Sequence, residues 1–235
     1  MLLSAILCYN EINTKIHRAS ETEDDIRRVQ NMNFEVIDNL FQVSMLAAAA
    51  IAAIVLTIRY QERRFMILAF AYASFLMGTL YWVLYLAIIG NVPQVFYVSE
   101  ISWLASYLFY LSFQIYRVNH MSLCFSWPAA AAAFVIVVLV MCVGMLGPSR
   151  FVSGTFAVTM AAYTYLTVFR LLNTKPLSNV DMCIFLCIIL QMLLYIVSCF
   201  MSDYTQFNLY FAVDICLTIM LTVLLPLTYR EVIGQ

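Results

Sequence analysis

Charge is what this sequence has least of. Only 11% of its 235 residues are Asp, Glu, Lys or Arg, whereas 64% are apolar. A soluble domain carries about a quarter charged residues and at most about half apolar ones. Too little polar surface remains to coat a water-soluble globule, so the apolar residues have to face lipid. The net charge of -1 offers no basic footprint, and no nucleic-acid partner is expected.

Lysine is confined to Lys15 and Lys175, neither of them inside a hydrophobic run. Retinal, which needs a Schiff-base lysine in the last helix, is thereby excluded. The histidines, His17 and His120, fall in different extramembrane segments. They make neither a bis-histidine haem site nor a His-Glu-x-x-His zinc site. Gly-x-Ser-x-Gly elbows and Gly-rich phosphate loops are missing. No cofactor and no metal are expected, and no known enzyme signature is present. Cys8, Cys124, Cys142, Cys183, Cys187, Cys199 and Cys216 lie mostly in apolar runs, where a thiol behaves as a small hydrophobe. They form no disulfide framework. Cys183 and Cys187 have a metal-capable spacing, but without further ligands they read as packing residues.

What is abundant is long apolar runs. A membrane helix needs roughly 20 mainly apolar residues. The runs predict spans at 39–58, 66–89, 96–116, 127–147, 151–172, 180–200 and 207–228, broken by charged or helix-breaking stretches such as Gly147-Pro148-Ser149-Arg150. The fold class is therefore all-α: a polytopic membrane protein with a seven-transmembrane-helix bundle. Residues 39–235 form that domain. The third span is the least hydrophobic, and the seven-span count depends on it.

Arginine and lysine set the orientation. Spans 1, 3, 5 and 7 end at Arg59, Arg117, Arg170 and Arg230, and the same side adds Arg63, Arg64 and Lys175. The opposite connections contain only Arg150. Positive residues stay in the cytoplasm, which predicts the N-terminus outside and the C-terminus cytoplasmic. Tyr60, Tyr116, Phe169 and Tyr229 each adjoin an arginine and read as an interfacial belt. Residues 1–38 read as an extracytoplasmic segment, with Ser20-Glu21-Thr22-Glu23 as a capping box opening an amphipathic surface helix. The expected location is the cell membrane, with the lipid bilayer as the first partner.

Ionisable groups within a bilayer are costly and usually face the bundle interior. Glu100 in span 3 and Asp214 in span 7 stand out, both in the outer half. Glu100, Trp103, Tyr107, Tyr110, Gln114 and Arg117 recur at three- and four-residue spacing, hence along one helix face. Tyr210, Asp214, Thr218 and Thr222 recur every four residues on span 7. Gln191 and Tyr195 repeat the pattern on span 6. Polar residues on membrane helices also simply bond their neighbours, each contributing on the order of 1 kcal/mol. That packing reading is preferred for Gln191 and the threonines, and a functional one for Asp214. Alanine runs at 47–50 and 129–133 permit close helix contact.

These residues give a candidate ligand-binding set of Glu100, Trp103, Tyr107, Tyr210 and Asp214. Carboxylates beside aromatic rings suit a cationic or amine ligand. The first functional reading is a receptor-like sensor, binding a small ligand in an outward-facing pocket and signalling to a cytoplasmic partner. The second is a small-solute or proton-coupled transporter, which lacks the internal repeat and broken helices common in such carriers. The third is an intramembrane enzyme using Glu100 and Asp214 as a carboxylate pair. The layout resembles the seven-helix input modules of some bacterial membrane histidine kinases and diguanylate cyclases, as architecture alone. Pro226-Leu227-Thr228-Tyr229 resembles the Pro-x-x-Tyr end of the last helix in G-protein-coupled receptors, but no acid adjoins Arg117.

Overall fold

The structure, a computed structural model, describes residues 34–89, 97–119, 121, 124–144, 150–198, 200 and 206–234. The capping box near residue 20 lies outside them. Seven helices account for nearly all of this, and no strand occurs among the described residues. They are α1 (Phe34–Tyr60), α2 (Arg63–Ile89), α3 (Tyr97–Val118), α4 (Trp127–Gly144), α5 (Arg150–Asn173), α6 (Asn179–Ser198) and α7 (Leu209–Ile233). Of these, α1, α2, α5, α6 and α7 are long and apolar enough to cross a membrane. The chain is thus a helical membrane protein. The other two are α3, which is polar along one face, and α4, which is apolar but short.

Local chemistry sets the helix ends. The link from α1 to α2 is only Gln61-Glu62. Gln61 takes a positive φ of 53° and its N–H bonds Thr57 O at 2.8 Å, a left-handed cap that folds α2 back along α1. Pro128 stands in the first turn of α4, where a missing N–H costs nothing. Asn208 caps α7 by accepting from the N–H of Phe211 at 3.4 Å. Arg59, Arg117, Arg170 and Arg230 lie in last turns, where cations complement the helix dipole.

Contacts run from α1 to α2, α2 to α3, α3 to α5, α5 to α6, α6 to α7 and back to α1. Those six helices form a ring, and α4 packs outside it against α5 and α6. The polar-faced α3 is therefore part of the ring wall. Its patterned face points inward: Tyr107, Tyr110, Gln114 and Arg117 are buried and Trp103 is partly so. Ala49, Ala50 and Ala53 of α1 are buried, consistent with close packing by small side chains. Ala129 is the buried member of the α4 alanine run and packs with Val118 and Phe169. Burial takes Phe169 out of the expected aromatic belt, and Tyr60 and Tyr229 bond each other through their hydroxyls at 3.1 Å.

Candidate functional site

The interior polar residues gather in three tiers. The first lies near the end of the bundle where α1, α3, α5 and α7 begin. α1 starts five residues before the span expected from hydropathy, so Asp38 is helical and 3% exposed. One turn on, Gln42 faces the same way. Its Nε2 donates to Asp214 Oδ1 and to Thr218 Oγ1 of α7, both at 3.2 Å. Its Oε1 accepts from Thr79 Oγ1 of α2 at 2.6 Å. Asp38 and Asp214, both buried, act on each other electrostatically. Among the described residues neither acid forms an ion pair with a basic group.

Aromatic rings surround this tier. Trp103 Nε1 points at Thr79 Oγ1, 3.5 Å away, and its ring lies 6.3 Å from Trp82 and 6.5 Å from Phe75. Gly78 allows this approach, because a Cβ there would stand 2.8 Å from Trp103 Nε1. Trp82 donates to Glu35 Oε1 at 2.9 Å, and Phe34 packs on Phe211 at 5.0 Å.

Of the residues singled out from sequence, Trp103 and Asp214 are joined through Thr79 and Gln42. Tyr107 lies one turn below Trp103, is buried, and donates to Gln191 Oε1 of α6. Glu100 is half-buried one turn above Trp103 and makes no hydrogen bond or ion pair among the described residues. Tyr210 is half-buried one turn before Asp214, its ring against Phe211 at 5.4 Å. Asp214 is held by groups of α1, and no hydrogen bond or ion pair joins it to Glu100. Sequence reasoning missed Asp38, because apolar counting starts the span at residue 39. The four-residue step from Asp38 to Gln42 was the available signal.

The middle tier is a layer of buried phenols, Tyr72, Tyr107, Tyr110 and Tyr163. Tyr72 donates to the carbonyl of Leu221 at 2.7 Å and so ties α2 to α7. Cys183 bonds the carbonyl of Met220 at 3.4 Å, and Cys187 is buried beside it. No group of three or more His, Cys, Asp or Glu suited to a metal occurs among the described residues.

The third tier closes the arginine-bearing end. Asp181, in the first turn of α6, is wholly buried and lies between Arg117 and Arg170. Arg117 pairs with it through Nη1, and Arg170 Nε sits 3.0 Å from Oδ1 and 3.1 Å from Oδ2. Arg117 also donates to Glu231 Oε2 of α7 at 2.7 Å and to Ser178 Oγ at 3.0 Å. Gln114 donates to Asp181 and Thr167, and Arg64 of α2 reaches Glu231 at 3.5 Å. One cluster thus joins α2, α3, α5, α6 and α7. Positive-inside counting treats Arg117 and Arg170 as surface charges, whereas both are buried.

The chain matches no protein-family model, no curated protein and no solved structure. Burying an ion pair is costly unless the remaining donors and acceptors are also satisfied. The third tier meets that condition, with both Asp181 oxygens and the arginine donors engaged. The first tier differs, because two buried acids face each other with an amide, two threonines and indoles for company. That arrangement can accept a positive charge.

Proposed function

We propose that this multi-pass membrane protein is a receptor-like sensor of the cell membrane, responding to a small cationic ligand from outside. The ligand site comprises Glu100, Trp103, Tyr107, Tyr210 and Asp214, extended by Asp38 and Gln42. The observation that carries the reading is the contrast between the buried acids. Asp181 has two arginines, while Asp38 and Asp214 have no basic partner among the described residues. A cation lying between two carboxyls removes their repulsion and gains from the faces of Trp103 and Trp82. Glu100 and Tyr210, nearer the surface, guide it inward.

Output passes through the third tier. Asp214 and Glu231 lie on the same helix, so a ligand that shifts α7 loads the Arg117–Glu231 pair. Repacking ion pairs at helix ends is a common form of switching. A cytoplasmic partner reading that end fits the predicted orientation. The helices that carry the polar tiers run without a mid-span break, which favours the sensor over a carrier.

Thermal unfolding of the purified chain with benzylammonium chloride, against benzyl alcohol as the neutral control, tests this. Benzylammonium should raise the Tm of the wild type and benzyl alcohol should not. Asp214→Asn and Asp38→Asn should lose the shift. An equal shift in both variants would overturn the reading. Benzylammonium flux into sealed proteoliposomes would instead favour the carrier.

A further inference from the structure

The arginines at the end of the bundle where α1, α3, α5 and α7 finish fall into two sets. Arg64, Arg117 and Arg170 pair with Glu62, Glu231 and Asp181. Arg59, Arg63 and Arg230 are exposed, and among the described residues their side chains make no hydrogen bond or ion pair. Each prolongs an exposed apolar stripe of its own helix. Arg59 follows Ala52 and Val55 on α1, and Arg230 follows Ile219 and Pro226 on α7. Arg63 leads into Met66, Phe70 and Met77 on α2. These guanidinium groups therefore stand on the lipid side, at the level of the headgroups.

The three helices touch one another, so their arginine-bearing ends share one corner. The Arg59 guanidinium lies over the Tyr60 ring, 5.5 Å from its centroid, and that ring is 5.7 Å from Tyr229, the neighbour of Arg230 in sequence. The Tyr60 and Tyr229 hydroxyls share one hydrogen bond of 3.1 Å, which uses one of their two protons and leaves the other without an acceptor among the described residues. Across the Gln61-Glu62 link, Arg63 opens α2 with no acid in its first turn. A cation there adds to the positive end of the helix dipole instead of offsetting it. Glu62, the nearest acid in sequence, is held by Arg64 at 3.1 Å. Three unpaired guanidinium groups, a spare phenol proton and the start of a helix together suit an anion rich in acceptor oxygens.

We propose that this corner of α1, α2 and α7 binds the headgroup of an anionic phospholipid, whose acyl chains run along the exposed apolar stripes. A soluble anion would leave those stripes unused. Basic clusters beside membrane helices hold anionic headgroups, and the predicted orientation puts the corner at the cytoplasmic leaflet, where such lipids collect. The site lies at the opposite end of the bundle from the cation site and does not depend on it.

Native mass spectrometry of the full chain in detergent, with equimolar dioleoyl phosphatidylglycerol and dioleoyl phosphatidylcholine, tests this. A basic residue near an anionic surface contributes about fivefold to binding, so the wild type should retain phosphatidylglycerol by about tenfold or more over phosphatidylcholine. Arg63→Gln alone should cut that preference about fivefold, and adding Arg59→Gln and Arg230→Gln should abolish it. All three side chains are exposed and unpaired, so the variants should keep the thermal transition of the wild type. Lys175→Gln removes the same charge from the exposed α5–α6 link, whose helices touch neither α1 nor α2, and should leave the preference unchanged. A wild type without preference overturns the site. Equal losses in Lys175→Gln and Arg63→Gln overturn it too, in favour of general charge attraction. Displacement of phosphatidylglycerol by an equal concentration of glycerol 3-phosphate would overturn the lipid as its occupant.

Discussion

Gln42 and Asp214 are 172 residues apart in sequence and meet at 3.2 Å inside the bundle. The same amide donates to Thr218 and accepts from Thr79, so one side chain joins α1, α2 and α7. An amide suits this position because it supplies two donors and an acceptor without adding charge. A third carboxyl would add repulsion, and a lysine would take the place of the proposed cation.

Replacing Gln42 with leucine should therefore destabilise the bundle by about 1–3 kcal/mol, because Asp214 and Thr79 lose a buried partner. Ser44→Ala, on the exposed side of α1, should stay within about 0.5 kcal/mol. Unfolding in detergent, followed by circular dichroism, checks both. Equal losses would show that Gln42 contributes only generic packing.

Gly78→Ala should be felt through Trp103. The added methyl would stand 2.8 Å from Nε1 and 2.9 Å from Cδ1 of the indole, so the ring must move. Overpacking of this kind costs about 1–3 kcal/mol. Adding Trp103→Leu to Gly78→Ala should recover much of that loss, giving a clear coupling energy in a double-mutant cycle. Purely additive effects would mean that the indole is not what fixes glycine at this position.

The difference between what could and could not be read in advance follows from helix geometry. The inward face of α3 was legible because its side chains repeat along one helix, and periodicity is a local property. The Asp181 cluster was not, because its members come from five helices and meet only after packing. In sequence Asp181 looks like a polar residue beside a loop. Asp38 escaped for a similar reason, since polar residues at a helix start are the ones a hydropathy boundary discards.

Cys124 offers a test of the orientation read from the arginines. It is exposed, in the connection between α3 and α4 on the arginine-bearing side. In a variant retaining only this cysteine, a membrane-impermeant maleimide should label inverted vesicles and spare intact cells. Positive residues kept inside place this connection in the cytoplasm. Labelling of intact cells would invert the topology and move the acid pair to the inner leaflet.

Asp181 provides the strongest prediction. Asp181→Asn leaves Arg117 and Arg170 buried with their shared charge removed, and should cost about 3–5 kcal/mol. Glu231→Gln should cost less, about 1 kcal/mol, because that carboxyl is partly exposed and Arg117 keeps Asp181. Stability alone does not explain an ionic cluster here, since well-packed apolar residues often do as well or better. The triple replacement Arg117→Met, Arg170→Met, Asp181→Leu should therefore regain most of the stability lost in Asp181→Asn. If the cluster exists to be switched, that variant should be stable but deaf. Benzylammonium should alter amide hydrogen exchange at the arginine-bearing ends of α3, α6 and α7 in the wild type and leave it unchanged in the triple variant. The same exchange response in both proteins would reduce the cluster to a packing device, and the signal would have to leave the bundle by another path.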